Sequence, residues 1–181
     1  MKVAAVGKGT PEHFEKAFVR ARSGRTLIIG SCVYPGREDR RKLYQDVVGV
    51  DMVAGMGVDE VMDLEEDSLE KKLGKFEHVE CISVLEHTQR PRLVAKNIME
   101  AMNQDATLHL SVPFVWRVHA YPSDYWRLTI SAVEFIFRGI HWKNLMYGCA
   151  GDYSLKSIPS VNIGGVLYFA RAEVYGFGIK K

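Results

Sequence analysis

Three apolar, strand-like runs end on residues able to hold a polar ligand. Thr26 to Ile29 (TLII) leads into Gly30, Ser31, Cys32, Val33, Tyr34, Pro35 and Gly36. Small residues at such a turn let backbone N–H donors come close to an anionic or carboxylate group. The spacing is not GxGxxG, because Cys32 stands where the second glycine would, so the phosphate-cradling dinucleotide fingerprint is incomplete. Asp51 lies 21 positions beyond Gly30, at the end of Val47 to Met52. An acid at about that offset can accept both hydroxyls of a ribose, since two vicinal hydroxyls need two acceptors. Asp63 repeats the arrangement at the end of Val58 to Leu64, where its carboxylate or an adjacent N–H could bond an adenine amino group. Taken singly, each acid is equally a solvated strand-end charge. Together, one glycine turn and two acids on three successive strand ends favour a ligand that contains a nucleoside.

The elements that must position these residues alternate between strand and helix. Thr10-Pro11 opens a stretch with Phe14, Ala17, Phe18 and Ala21 at helical spacing, closed by Gly24, which predicts a leading helix within residues 1–25. The charged stretch Pro35 to Tyr44 could only be a short surface helix, with Arg37 to Lys42 as its solvated face. A charged helix is expected at Leu69 to Leu73 and a fourth strand at Phe76 to Val84. Pro91 opens a helix whose Val94, Ile98, Ala101 and Met102 share one face. Ala106 to Val112 alternates as a fifth strand, and Ser131 and Glu134 have capping-box spacing before Phe135, with Gly139 at the expected helix end. Sixth and seventh strands are expected at His141 to Tyr147 and Gly165 to Ala172. Strands separated by helices imply βαβ units, hence an α/β fold: a three-layer α/β/α sandwich around a mostly parallel, seven-stranded, doubly wound (Rossmann-like) sheet. Ligands of such sheets bind at the carboxyl ends of the strands.

Composition narrows the partners. With 181 residues, the chain is sized for a single domain spanning residues 1–181, with 26–181 as the core sheet and helices. Lys and Arg number 24 against 22 Asp and Glu, a net charge of +2, which gives no overall field for nucleic acid or an anionic membrane. Neither a signal-peptide core nor an apolar run of membrane-spanning length is present in the sequence. Cys32, Cys81 and Cys149 are odd in number and lack CxxC spacing, so neither a disulfide framework nor a structural zinc site is expected, and a reducing, cytoplasmic location fits.

Two longer strings make the ligand more specific: Phe76 to Pro91, FEHVECISVLEHTQRP, and Ser111 to Thr129, SVPFVWRVHAYPSDYWRLT. Val84-Leu85-Glu86-His87, then Pro113-Phe114, His119, Pro122, Asp124-Tyr125-Trp126-Arg127 and Thr129, follow one another as in a known pattern. The region from about Leu27 to Thr129 resembles the class I S-adenosylmethionine-dependent methyltransferases, in the compact branch with a VLEH segment after strand four and a PF…H…P.DYWR.T segment after strand five. The resemblance implies S-adenosylmethionine as cofactor. It implies that Gly30, Ser31 and Cys32 pass beneath its methionine portion, that Asp51 and Met52 meet the ribose, and that Asp63 and Leu64 meet the adenine. Ser83, Val84 and Leu85 would flank the sulfonium, and His87 would lie near the transferred methyl. His119, Asp124, Tyr125 and Arg127 would wall the acceptor pocket. The first motif departs from the family: Ile28 occupies the place of an acid that normally helps to order the cofactor loop, and Cys32 replaces a glycine.

Methyl transfer is an in-line displacement, so a protein supplies alignment and a base where the acceptor carries an O–H or a protonated nitrogen. His119 and His87 are candidate bases, with Asp124 orienting His119 or pairing with Arg127, and Tyr125 among the aromatic residues around them. His109 and His119 lack metal-ligand spacing, and no metal is expected. The expected activity is methyl transfer to a small-molecule or saccharide-like O- or N-acceptor, held by Pro113 to Thr129, by a partner chain or within a homo-oligomer. The alternatives are a catalytically degenerate methyltransferase fold serving as a binding or partner subunit, and a nicotinamide-dependent oxidoreductase on the same sheet, which the missing GxGxxG disfavours.

Overall fold

The computed structural model describes residues 23–116, 118–119, 122–148, 160–163, 166–169 and 173–181. Five parallel strands form one side of the main sheet: β1 (Thr26–Ile29), β2 (Val47–Asp51), β3 (Glu60–Val61), β4 (Phe76–Ile82) and β5 (Met102–Pro113). Two further strands, β6 (Ile140–Gly148) and β9 (Glu173–Lys180), complete it in the order β3-β2-β1-β4-β5-β9-β6, with β9 antiparallel to both neighbours. Strands β7 (Ser160–Ile163) and β8 (Val166–Phe169) form a separate antiparallel ribbon. The strand order reverses between β1 and β4, so their carboxyl ends frame the crevice where open α/β sheets bind ligands.

One face of the sheet is hydrocarbon. Leu27, Ile29, Val79, Cys81, Leu108 and Leu110 meet helices α1 (Leu69–Leu73), α2 (Pro91–Glu100) and α3 (Ile130–Ile136), through residues such as Leu69, Val94, Ile98 and Val133. The other face carries the register row Ile28, Glu80, His109 and Phe177, one residue from each of β1, β4, β5 and β9. Glu80 is buried there and survives as a charge because Arg40 grips both its oxygens at 2.6 Å, Tyr44 Oη–H donates at 2.8 Å and His109 Nδ1 lies 3.2 Å away.

Several sequence expectations change. The seventh strand of the main sheet is β9, not Gly165 to Ala172: the described part of that stretch, β8, pairs only with β7. The third strand is two residues long instead of Val58 to Leu64, because Asp59 turns back to accept from the Gly49 N–H at 2.7 Å. Pro35 to Tyr44 holds a single 3-10 turn, Arg40–Leu43, capped by Asp39, and its Arg40 reaches the buried Glu80 instead of solvent. Helix α3 is capped by Thr129, whose Oγ1 accepts from the Ala132 N–H at 3.1 Å, two residues before the expected Ser131. The leading helix predicted at 10–21 lies outside the described residues. No described helix is long and apolar enough to cross a membrane.

Candidate functional site at the carboxyl ends of the strands

Where β1 ends, Gly30 adopts φ 72°, a conformation that L side chains resist, and a Cβ there would stand 2.7 Å from Val84 Cγ2. The turn after β1 therefore closes directly against the segment after β4. Ser31 is buried and its Oγ has no hydrogen-bond partner. It packs over Gly49 of β2, where an added Cβ would fall 2.6 Å from that Oγ and 2.3 Å from the Gly57 carbonyl oxygen. Cys32 donates its N–H to Asp51 Oδ2 at 3.1 Å, and Val53 donates to Asp51 Oδ1 at 3.2 Å. Burial, followed by the nearby Asp51 charge, raises the Cys32 thiol above its usual range. Asp51 is thus fixed as an acceptor at the end of β2, with Met52 and Val53 exposed beside it.

Asp63 has a more local task. Its Oδ1 accepts from Glu65 N–H at 2.9 Å, and its own N–H donates to Asp67 Oδ2 at 3.0 Å, which folds the chain into α1. Leu64 is buried in the core cluster. Asn97 of α2 pins this turn: its side chain donates to the carbonyls of Leu64 (3.0 Å) and Asp67 (2.7 Å) and accepts from Leu69 N–H at 2.9 Å.

After β4, Ser83 takes φ 53°, uncommon for a residue with a Cβ, while its N–H donates to the Ser111 carbonyl at 2.9 Å. Val84 is half-buried, Leu85 is fully buried in the core, and Leu85–His87 form a 3-10 turn. This turn presents Glu86 and His87 to the segment that follows β5. His87 Nδ1 lies 2.6 Å from the Ser123 carbonyl, a contact that requires N–H on Nδ1 and leaves the lone pair of the neutral ring on Nε2. The His87 and His119 rings meet edge to face at 4.8 Å.

His119 is held from the other side. Asp124 Oδ2 accepts its backbone N–H at 2.9 Å and lies 3.2 Å from its Nδ1, while the Arg127 guanidinium grips both Asp124 oxygens at 2.6 and 2.7 Å. The Arg127 fork holds the Asp124 carboxyl well below the usual carboxylate range; its burial opposes this, and the His119 amide adds to it. Tyr125 donates its backbone N–H to the Glu86 carbonyl at 2.7 Å, and its exposed hydroxyl accepts from Gln89 Nε2 at 3.3 Å.

Glu86 completes the group. Its side chain is 1% exposed, Oε1 sits 3.8 Å from His87 Nε2, and neither carboxyl oxygen has a hydrogen-bond partner. Burial, aided by the Asp124 charge, pushes its carboxyl up to about 8. The structure thus brings Gly30, Ser31, Cys32 and Asp51 together on one side of the crevice, and His87, His119 and Asp124 on the other. It leaves Leu64 and Leu85 in the core and Tyr125 at the rim. Sequence reasoning passed over Glu86 as a participant, because nothing in the spacing between residues 86 and 119 signals contact. Its one available signal was an acid inside an otherwise apolar segment.

The strand order, the antiparallel β9 and the placement of these groups define a three-layer, Rossmann-like α/β/α fold. Solved methyltransferases share it. A SAM-dependent methyltransferase from Archaeoglobus fulgidus superposes with a TM-score of 0.65 at 13% identity, covering 93% of this chain and 94% of that one. The N-methyltransferase NodS from Bradyrhizobium japonicum WM9, in complex with S-adenosyl-L-homocysteine, gives a TM-score of 0.59 at 9% identity over 96% and 89% of the two chains. Beyond the methyltransferases, the YcgJ protein of Bacillus subtilis also shares the fold, with a TM-score of 0.61 at 12% identity over 94% and 99% of the two chains. At these identities the likeness is one of fold. No protein-family model and no curated protein matches the chain in sequence.

Proposed function

We propose that this protein is an S-adenosylmethionine-dependent methyltransferase acting on a small-molecule or saccharide-like O- or N-acceptor. What supports the reading is that, in a fold shared with solved methyltransferases, Asp51 is fixed as an acceptor at the end of β2 while Glu86, His87, His119 and Asp124 are gathered after β4 and β5. The residues suit the cofactor. Each Asp51 oxygen takes one backbone N–H, and a carboxylate oxygen has a second lone pair for a ribose hydroxyl. Gly30, lacking a Cβ, lets the turn after β1 close against Val84, and Met52, Val53 and Met56 expose apolar surface suited to an adenine ring. Val84 stands beside Gly30, on the side where the methionine portion belongs.

The cofactor supplies an electrophilic methyl group on a sulfonium. The chain's own part is to align the acceptor and handle its proton. His119 is set for this by Asp124, which fixes the ring through Nδ1. His87, fixed through Ser123, shares the task, and Trp126 and Tyr125 border the acceptor side. The acid missing at Ile28 has a counterpart in Glu80, its register neighbour on β4, which anchors Arg40 and Tyr44 of the β1–β2 connection. This favours a working cofactor loop over a degenerate binding subunit.

Calorimetric titration with S-adenosylhomocysteine and S-adenosylmethionine is the direct test, with binding at micromolar concentrations expected. No heat at millimolar ligand overturns the reading in favour of the degenerate fold. A cofactor-loaded screen of hydroxyl and amine acceptors then identifies the substrate.

A further inference from the structure

We propose that Glu86, His87 and His119 form a three-ligand site for a divalent first-row transition-metal ion of the zinc type. One ligand atom from each residue lies within 4.8 Å of the others. Metal–ligand bonds of about 2.0 to 2.2 Å bring ligand atoms to within ~3.5 Å of one another, so side-chain adjustments of about an ångström close the site.

Three features point to an ion and not to a hydrogen-bonded cluster. First, the Glu86 carboxyl group is almost completely buried, and neither oxygen has a hydrogen-bond donor. Leaving a buried carboxyl without partners is costly, and a cation beside His87 Nε2 removes that cost. Second, the surroundings have the form of a metal site's outer shell. Metal-bound imidazoles characteristically give their other N–H to a backbone carbonyl or a carboxylate. His87 Nδ1 meets the Ser123 carbonyl at 2.6 Å, and His119 Nδ1 meets Asp124 at 3.2 Å, with Asp124 fixed in turn by Arg127. Third, the donor set is selective. Two imidazoles and one carboxylate suit zinc, cobalt, manganese or iron(II), whereas calcium and magnesium favour oxygen ligands and higher coordination.

Three protein ligands leave at least one coordination position for water or an acceptor oxygen. The inference deepens the proposed function, on which its acceptor-side role rests. With the ion bound, His87 and His119 act as ligands, and the ion lowers the pKa of a coordinated acceptor hydroxyl.

The test uses the full chain without a polyhistidine tag, stripped with chelator and titrated with Zn2+ and with Co2+ in the absence of cofactor. The expected result is one equivalent bound at micromolar or tighter affinity, with visible Co2+ bands of four- or five-coordinate intensity. Glu86→Gln and His119→Asn should each weaken binding at least tenfold. Arg127→Met, acting through Asp124, should weaken it about 10-fold to 100-fold. His141→Asn, at an exposed histidine of β6, should leave it unchanged. Circular dichroism of each variant verifies folding, and the wild-type Co2+ spectrum stands without any variant. No binding by the wild type at 100 micromolar ion overturns the proposal, as does unchanged affinity in folded Glu86→Gln, which would mean that the ion binds at a place that does not include Glu86. S-adenosylhomocysteine titrated into stripped and loaded protein keeps the two readings separate. Nucleoside binding without ion binding sinks only the metal site, and ion binding without nucleoside binding sinks only the methyltransferase.

Discussion

Asp51, at the end of β2, and Asp124, in the segment after β5, show how two carboxylates take different roles from their partners. Asp51 receives only two backbone N–H groups, one per oxygen, and stays at the crevice edge. Asp124 is enclosed, with its side chain 1% exposed, and is committed to Arg127 and His119. Asp51 is therefore the one suited to a ligand. Asp51→Ala should weaken S-adenosylhomocysteine binding by about 1 to 3 kcal/mol, the range for a lost hydrogen bond to a charged group. Isothermal calorimetry measures this, and unchanged affinity in a folded variant removes Asp51 from the site. The place of Asp51 at the end of β2 was legible in the sequence because it closes the apolar run that begins at Val47. Glu86 was not, because its significance depends on the absence of partners, which only packing reveals.

At the scale of elements, the turn between β3 and α1 depends on a residue from another helix. Asn97 projects from the buried face of α2 and satisfies two carbonyls and one N–H of residues 64–69. Replacing it with Ala leaves those groups buried without partners, at roughly 1 to 3 kcal/mol. Urea unfolding of Asn97→Ala should show a midpoint shift of that size, and Asn97→Asp, which keeps the acceptor for Leu69 N–H but turns a carboxylate oxygen toward the Leu64 and Asp67 carbonyls, should lose at least as much. The helical face containing Val94 and Ile98 could be read from spacing alone, and so could the apolar runs of β1, β2 and β4. Strand β9 could not. Its EVYGFGIK sequence is broken by Gly176 and Gly178, which weaken a strand reading. Both glycines make room for neighbours: an added Cβ would strike Leu145 and Ile140 respectively. The apolar Gly165 to Ala172 was the stronger local signal, and strand pairing overrode it.

For the whole molecule, the buried charge on the second face of the sheet sets how folding responds to acid. Burial opposes the Glu80 charge, but the Arg40 fork, with His109, outweighs it and holds the carboxyl at about 2, below its ordinary 4.5. A depressed carboxylate contributes stability that is present above its unfolded pKa and lost as pH falls through the folded value. Stability should therefore decline between about pH 4.5 and pH 2, with Glu80 responsible for on the order of 3 kcal/mol. Denaturant unfolding at stepped pH should show a shallower decline in that window for Glu80→Gln, alongside a lower stability at pH 7 from the Arg40 charge left without its partner. An equally steep decline in the variant would mean that other carboxylates carry the acid response.

The seam between residues 85–90 and 123–127 has a further consequence. Its links include His87 to the Ser123 carbonyl, Tyr125 N–H to the Glu86 carbonyl, Gln89 Nε2 to the Tyr125 hydroxyl, and Trp126 Nε1–H to the Thr88 carbonyl at 2.7 Å. Glu86 and His87 lie on one side of it, His119 and Asp124 on the other. Local fraying of this seam would disperse the Glu86, His87, His119 and Asp124 group while the sheet and its hydrocarbon core stayed intact. The site can thus come apart at a temperature or denaturant concentration where the fold is still whole, and far-ultraviolet spectra would not register the loss.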